Sequence, residues 1–135
     1  MKIHDPLSTD QLNAMSSLAL AHVGDAVYEL LVRTMLAQRG ELTSGALHKK
    51  TVSYVSATAQ AKAAVRIAQV LTEAERAVFL RGRNARVHSV PGGCSVAEYH
   101  AATALEALFG RLWLEGNAAR VSELFAIITE ADHAA

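Results

Sequence analysis

ALAHVGDAVYELLVRTML, residues 19–36, is the stretch whose reading decides the fold. It is apolar enough for a core helix, yet Asp25 sits in its middle. A carboxylate taken out of water costs several kcal/mol unless something pairs with it. One helical turn on stands Glu29, also acidic, and Glu29 can reach Arg33 instead. Asp25 is therefore the carboxylate left over, with Gly24 beside it removing side-chain bulk. Either another helix brings a partner or a cation sits there.

Leu18, Leu20, Val23, Val27, Leu30, Leu31 and Met35 recur at helical spacing and make a broad apolar face, with Asp25 near its edge. Ser16 or Ser17 caps this helix, which runs to about Gln38 and is stopped by Gly40. Before it, residues 1–7 read as an extended arm, and Ser8 with Gln11 offers a capping box for a short first helix. After it, Thr43 or Ser44 starts a helix containing LHKK. A break near Ser53–Ser56 follows, with Ser56 as the next cap. The alanine-rich run ATAQAKAAVRIAQVL has strong helix propensity and places Lys62 and Arg66 on one exposed face. Thr72 with Glu75 opens a helix that runs into RGRNAR, residues 81–86. VHSVPGGC, residues 87–94, is the longest stretch of turn chemistry and reads as a mobile loop. Ser95 with Glu98 opens VAEYHAATALEALFGRLWLEG, which ends at Gly116. Asn117 caps a last helix with Val121, Leu124, Phe125, Ile127 and Ile128 inward. No repeat or strand-like alternation interrupts this, so the expectation is an all-α fold and one domain over residues 1–135.

Composition agrees. Apolar residues make up 51 % of the chain, charged residues 19 %, and only 2 prolines are present, which excludes a disordered chain. Aromatics at 5 % are too few for base-stacking platforms to be the main binding device. The single Cys94 excludes an internal disulfide and any multi-cysteine zinc site. The opening MKIHDPLST has no apolar signal core and no run reaches membrane-spanning length, so a cytoplasmic protein is expected. His4-Asp5 invites comparison with metal phosphohydrolases, but the other histidines do not supply their pattern.

Net charge is zero, but its distribution is uneven. From His48 to Arg86 stand Lys49, Lys50, Lys62, Arg66, Arg76, Arg81, Arg83 and Arg86 against Glu73 and Glu75, a net +6 balanced by −6 elsewhere. Concentrated positive charge is the footprint of a polyanion partner.

The penultimate helix repeats the oddity of the first stretch. Glu106 sits in ATALEALFG with Ala102 and Gly110 one turn to either side, so it too lacks a local basic partner, and Thr103 shares its face. Two apolar helices, each with one unpaired acid flanked by small residues, would fit side by side around a divalent cation. Mg²⁺ prefers oxygen ligands, commonly one or two carboxylates with waters and substrate phosphates. Such an ion activates water and neutralises charge developing on a phosphate. The structural alternative is that each acid is half-exposed or paired with a distant base.

These residues carry a resemblance. LALAHVGDAVYELLVR resembles the signature helix of ribonuclease III nuclease domains, and ATALEALFGRLWLEG is similar to their second acidic helix. LHKKTVSYVSATAQA and RGRNAR narrow the resemblance to Mini-ribonuclease III, the bacterial branch that is a nuclease domain alone, over residues 16–128. The resemblance implies a helical homodimer that cleaves double-stranded RNA with Mg²⁺. Its metal-binding, catalytic acids carry over to Asp25 and Glu106. Two acids of the larger enzymes do not, since Ala21 stands in place of Glu and Thr103 in place of Asp. With no RNA-binding domain attached, grip on RNA falls to His48, Lys49, Lys50, Lys62, Arg66, Arg81, Arg83, Asn84 and Arg86. The implied role is trimming precursor large-subunit ribosomal RNA with a ribosomal protein as helper, leaving 5′-phosphate and 3′-hydroxyl ends. The alternative is an inactive RNA-binding or ribosome-associated module on the same fold.

Overall fold

The structure is a computed structural model that describes the backbone of residues 3–87 and 89–133 and the side chains of 3–87 and 89–130. Its elements are α1 (Thr9–Ala14), α2 (Ser17–Gln38), α3 (Ser44–Val55), α4 (Ala57–Ile67), α5 (Glu73–Arg83), α6 (Val96–Leu114) and α7 (Ala118–His133), with no strand among the described residues. The caps follow from local chemistry. Reciprocal capping boxes open α1, α5 and α6 through Ser8–Gln11, Thr72–Glu75 and Ser95–Glu98. Ser16, Thr43 and Ser56 each accept a backbone N–H three residues on. Ser56 ends α3 and begins α4, so the two helices meet without a linker. Gly40 at φ +93° and Gly116 at φ +81° end α2 and α6 in the left-handed region that glycine adopts without cost.

The helix at the centre is α6, not α2. From Ala102 to Leu112 only Glu106 and Arg111 are not buried, the pattern of a helix covered on all sides. Helices α2, α4, α5 and α7 pack around it. α2 keeps a solvent-facing side on which even Leu30 is 61 % exposed. The main core joins Val32 and Leu36 of α2, Ile67 of α4, Leu105 and Leu108 of α6, and Leu124 and Ile128 of α7. Tyr28 lies at its middle, edge-on to Phe109 at 5.3 Å and to Phe125 at 5.7 Å.

The N-terminal arm is tied down. Leu7 N–H donates to the Leu114 carbonyl at 2.9 Å, and Leu7 joins a second apolar cluster with Leu12, Leu20 and Ala107. The His4 ring lies 5.2 Å from Trp113, so the His4-Asp5 pair packs on α6. In the 87–94 stretch, His88 lies outside the described residues, and Gly93 turns the chain at φ +90°. No helix among the described residues is long and apolar enough to cross a membrane.

Candidate active site

The site begins with two glycines. A Cβ added to Gly24 would lie 1.6 Å from the backbone oxygen of Glu106 and 2.8 Å from the nitrogen of Gly110. A Cβ on Gly110 would lie 2.0 Å from the Leu20 oxygen. α2 and α6 therefore cross backbone on backbone, an approach only glycine permits. The crossing sets Asp25, next to Gly24, against Glu106, one turn before Gly110.

The two carboxyls interact directly. Burial pushes the Glu106 carboxyl up to about 8, and the negative charge of Asp25 and a hydrogen bond with Asp25 push it the same way. A proton shared between like charges is the expected response of a carboxylate pair. Burial is uneven: Glu106 is half-buried, whereas Asp25, which the sequence places near the edge of the apolar face, is exposed at the mouth of the crossing. Among the described residues no Arg or Lys forms an ion pair with either acid.

A third polar group enters from α4. Gln60 is 2 % exposed and its Nε2 faces Glu106 Oε2 at 3.5 Å. Sequence reading passed over it, although the signal was present. Gln60, Ala63, Ala64 and Ile67 form one buried face at helical spacing, and Gln60 is the polar residue on it.

The neighbours considered with the two acids divide. The Thr103 hydroxyl, 4 % exposed, donates to the Tyr99 carbonyl at 3.0 Å. Ala21 is buried. Glu29 pairs with Arg33 at 2.9 Å, as its spacing predicted, and His22 is exposed. Among the described residues no group of three or more His, Cys, Asp or Glu could hold a metal, so the protein offers two carboxylates.

The basic residues spread over several elements. His48 borders a depression of about 210 Å³ with Arg33 and the buried Thr51. Lys49 is exposed, and Lys50 pairs with Glu41. Lys62 and Arg66 line a cavity of about 260 Å³ with Ser53, Tyr54 and Thr58, and Arg66 Nη1 donates to the Ile128 carbonyl at 2.5 Å. Arg83 and Asn84 rim a wider groove of about 810 Å³ between α4, α5 and α6. Arg81 lies instead over the α5–α6 seam with Glu75, Arg111 and Glu115. Arg86, past the end of α5, is exposed.

This architecture has counterparts. The Ribonuclease III domain family matches residues 18–117. A protein of Symbiobacterium thermophilum described as Mini-ribonuclease 3 is 43 % identical over 124 residues, 92 % of this chain and 91 % of that one. Another of that description from a Thermoanaerobacter species is 40 % identical over 118 residues, covering 87 % and 83 %. The crystal structure of a Fusobacterium nucleatum protein superposes with a TM-score of 0.81 at 29 % identity, covering 90 % of this chain and 98 % of that one. The helical order, the glycine crossing that joins two acids, and the extent of these matches lead to one conclusion: this chain belongs to the ribonuclease III family of endoribonucleases.

Proposed function

We propose that the protein hydrolyses double-stranded RNA at Asp25 and Glu106, with Mg²⁺ as the cofactor. The observation that supports this most is the meeting of the two carboxyls across the Gly24–Gly110 crossing. Their chemistry suits a hard cation. Both donors are oxygens, they are two in number, and the proton that Glu106 retains marks a deficit of positive charge between them. A divalent cation held there supplies charge neutralisation at a phosphate and lowers the pKa of water.

The chain's own residues do the rest. Asp25, exposed, faces the incoming phosphate, and Glu106, half-buried, holds the inner position. Water adds to phosphorus, the P–O3′ bond breaks, and the departing oxygen takes a proton, leaving 5′-phosphate and 3′-hydroxyl ends. A-form RNA is read by shape, phosphates and 2′-hydroxyls. His48, Lys49, Lys50, Lys62, Arg66, Arg83, Asn84 and Arg86 supply phosphate contacts in this reading. Arg81, placed among Glu75 and Glu115, is the least suited of the nine. A twofold homodimer would set two sites against the two strands of a duplex. The substrate we assign is precursor large-subunit ribosomal RNA in the cytoplasm, with a large-subunit ribosomal protein presenting it.

The test is a long labelled duplex incubated with and without Mg²⁺. Asp25→Asn and Glu106→Gln each lower cleavage by about 10²-fold or more while duplex binding survives. Binding without cleavage at any Mg²⁺ concentration would leave an inactive RNA-binding module. Ala21 and Thr103, where the larger enzymes carry acids, make that the reading to exclude.

A further inference from the structure

Gln60 is a buried polar side chain whose amide meets the Glu106 carboxyl. It sits on the packed face of α4, flanked by Ala63 and Ala64, where an apolar residue would satisfy packing alone. Burying an amide among such neighbours costs free energy unless it is hydrogen-bonded. Its partner is the Glu106 carboxyl, 46 residues away in sequence.

We infer that Gln60 is the positioning residue for Glu106: its amide N–H holds the carboxyl beside Asp25 in the orientation that ligates a cation. The inference rests on the metal reading of Asp25 and Glu106. Two physical arguments carry it. First, the side chains that meet the Glu106 carboxyl are Asp25 from α2, a like charge, and Gln60 from α4, so the donor among them comes from α4. Second, Gln60 is 2 % exposed on the packed face of α4, so the packing of that helix fixes the amide and the amide in turn fixes the orientation of the carboxyl it meets. At 3.5 Å the contact is long for an N–H···O bond. Hydrogen bonds around a reacting centre are often long before the ligand arrives and tighten with it. Gln60 thus sets the direction of the inner carboxyl before a cation arrives.

The experiment uses the intact protein and Mg²⁺ alone, read by calorimetry. Gln60→Leu keeps the volume and removes the donor. It is expected to weaken Mg²⁺ binding by about tenfold, within the range found when a ligand's hydrogen-bonding partner is removed. Cleavage should fall at limiting Mg²⁺ and recover at saturation, while the thermal midpoint of the metal-free protein stays level or rises. A purely structural Gln60 would give the opposite pattern, a lower midpoint with unchanged Mg²⁺ affinity, and would overturn the inference. Should Gln60→Leu fail to fold, the parent protein still decides. The Gln60 side-chain NH₂ resonances must shift during a Mg²⁺ titration with the midpoint of metal binding, and unmoved resonances refute the proposal. The two readings fail separately. Mg²⁺ affinity lost in Asp25→Asn but intact in Gln60→Leu removes only the role of Gln60. No Mg²⁺ binding by the parent protein removes both.

Discussion

Glu106 enters the folded state holding a proton that it would lack in water. Its carboxyl titrates at about 8 in the fold against 4.5 when free, chiefly because it is buried and then because Asp25 is beside it. Between those values the folded protein binds more protons than the unfolded chain, so stability falls as pH rises. The contribution is complete below 4.5 and gone once pH has passed about 8. Thermal melts of the metal-free protein should therefore show a midpoint that declines from pH 5 to pH 8, and Glu106→Gln should flatten that slope. Mg²⁺ affinity, measured across the same range, should increase with pH, because the ion must displace the proton. Glu75 behaves in the opposite sense. The Arg120 guanidinium grips both its oxygens, at 2.8 and 2.9 Å, and holds the carboxyl below its usual range despite burial. That stabilisation exists above 4.5 and disappears as pH falls through the lower folded value. Arg120 also donates to the Val70 carbonyl, joining α7 to α5 and to the α4–α5 turn. Arg120→Met leaves Glu75 buried and unpaired, and urea denaturation at pH 7 should show a loss of about 3 kcal/mol.

Among the elements, the α2–α6 crossing is the one that holds the proposed site together. Gly24→Ala would drive a methyl into the Glu106 backbone oxygen, which cannot move aside because it lies on the central helix. The helices must separate, at about 3 kcal/mol, and the two acids move apart with them. Calorimetry should show Mg²⁺ binding lost along with stability. Gly45→Ala is the control. Gly45 lies in α3 with nothing within 4 Å of the new methyl, so alanine should stabilise the protein by about 0.5–1 kcal/mol. Much at this scale was legible in the sequence. Ser8–Gln11, Thr72–Glu75 and Ser95–Glu98 announced three helix starts, and Gly40 and Gly116 two ends, because each signal acts within a few residues. The sequence marks Gly24 as a small residue beside Asp25, but no spacing assigns Gly110 as its partner. A crossing depends on which two faces meet, and that is settled by the fit of whole helices.

For the whole molecule, the net +6 between His48 and Arg86 is real in sequence but divided in space. Lys50 is engaged by Glu41, and Arg66 by a carbonyl of α7, whereas Lys49 is exposed. Duplex affinity measured against salt should reflect this. Lys49→Ala should reduce the log–log slope by roughly 0.9, the B-DNA value for one phosphate contact. Arg81→Ala should leave the slope unchanged, since its neighbours are Glu75 and Glu115. Sedimentation equilibrium should give twice the 14.4 kDa chain mass if the twofold arrangement holds.

Residue order alone was enough for the helical class, for most helix boundaries, and for the choice of Asp25 and Glu106 as acids without a neighbouring base. Those features arise from hydrogen bonds and side-chain spacing inside a turn or two, which a linear reading contains. It took the packed chain to make α6 the central helix, to bury Glu106 more deeply than Asp25, and to bring Gln60 against that carboxyl. Each of these depends on groups tens of residues apart meeting in a dry interior, where proximity changes a carboxyl's charge and no local pattern records the encounter.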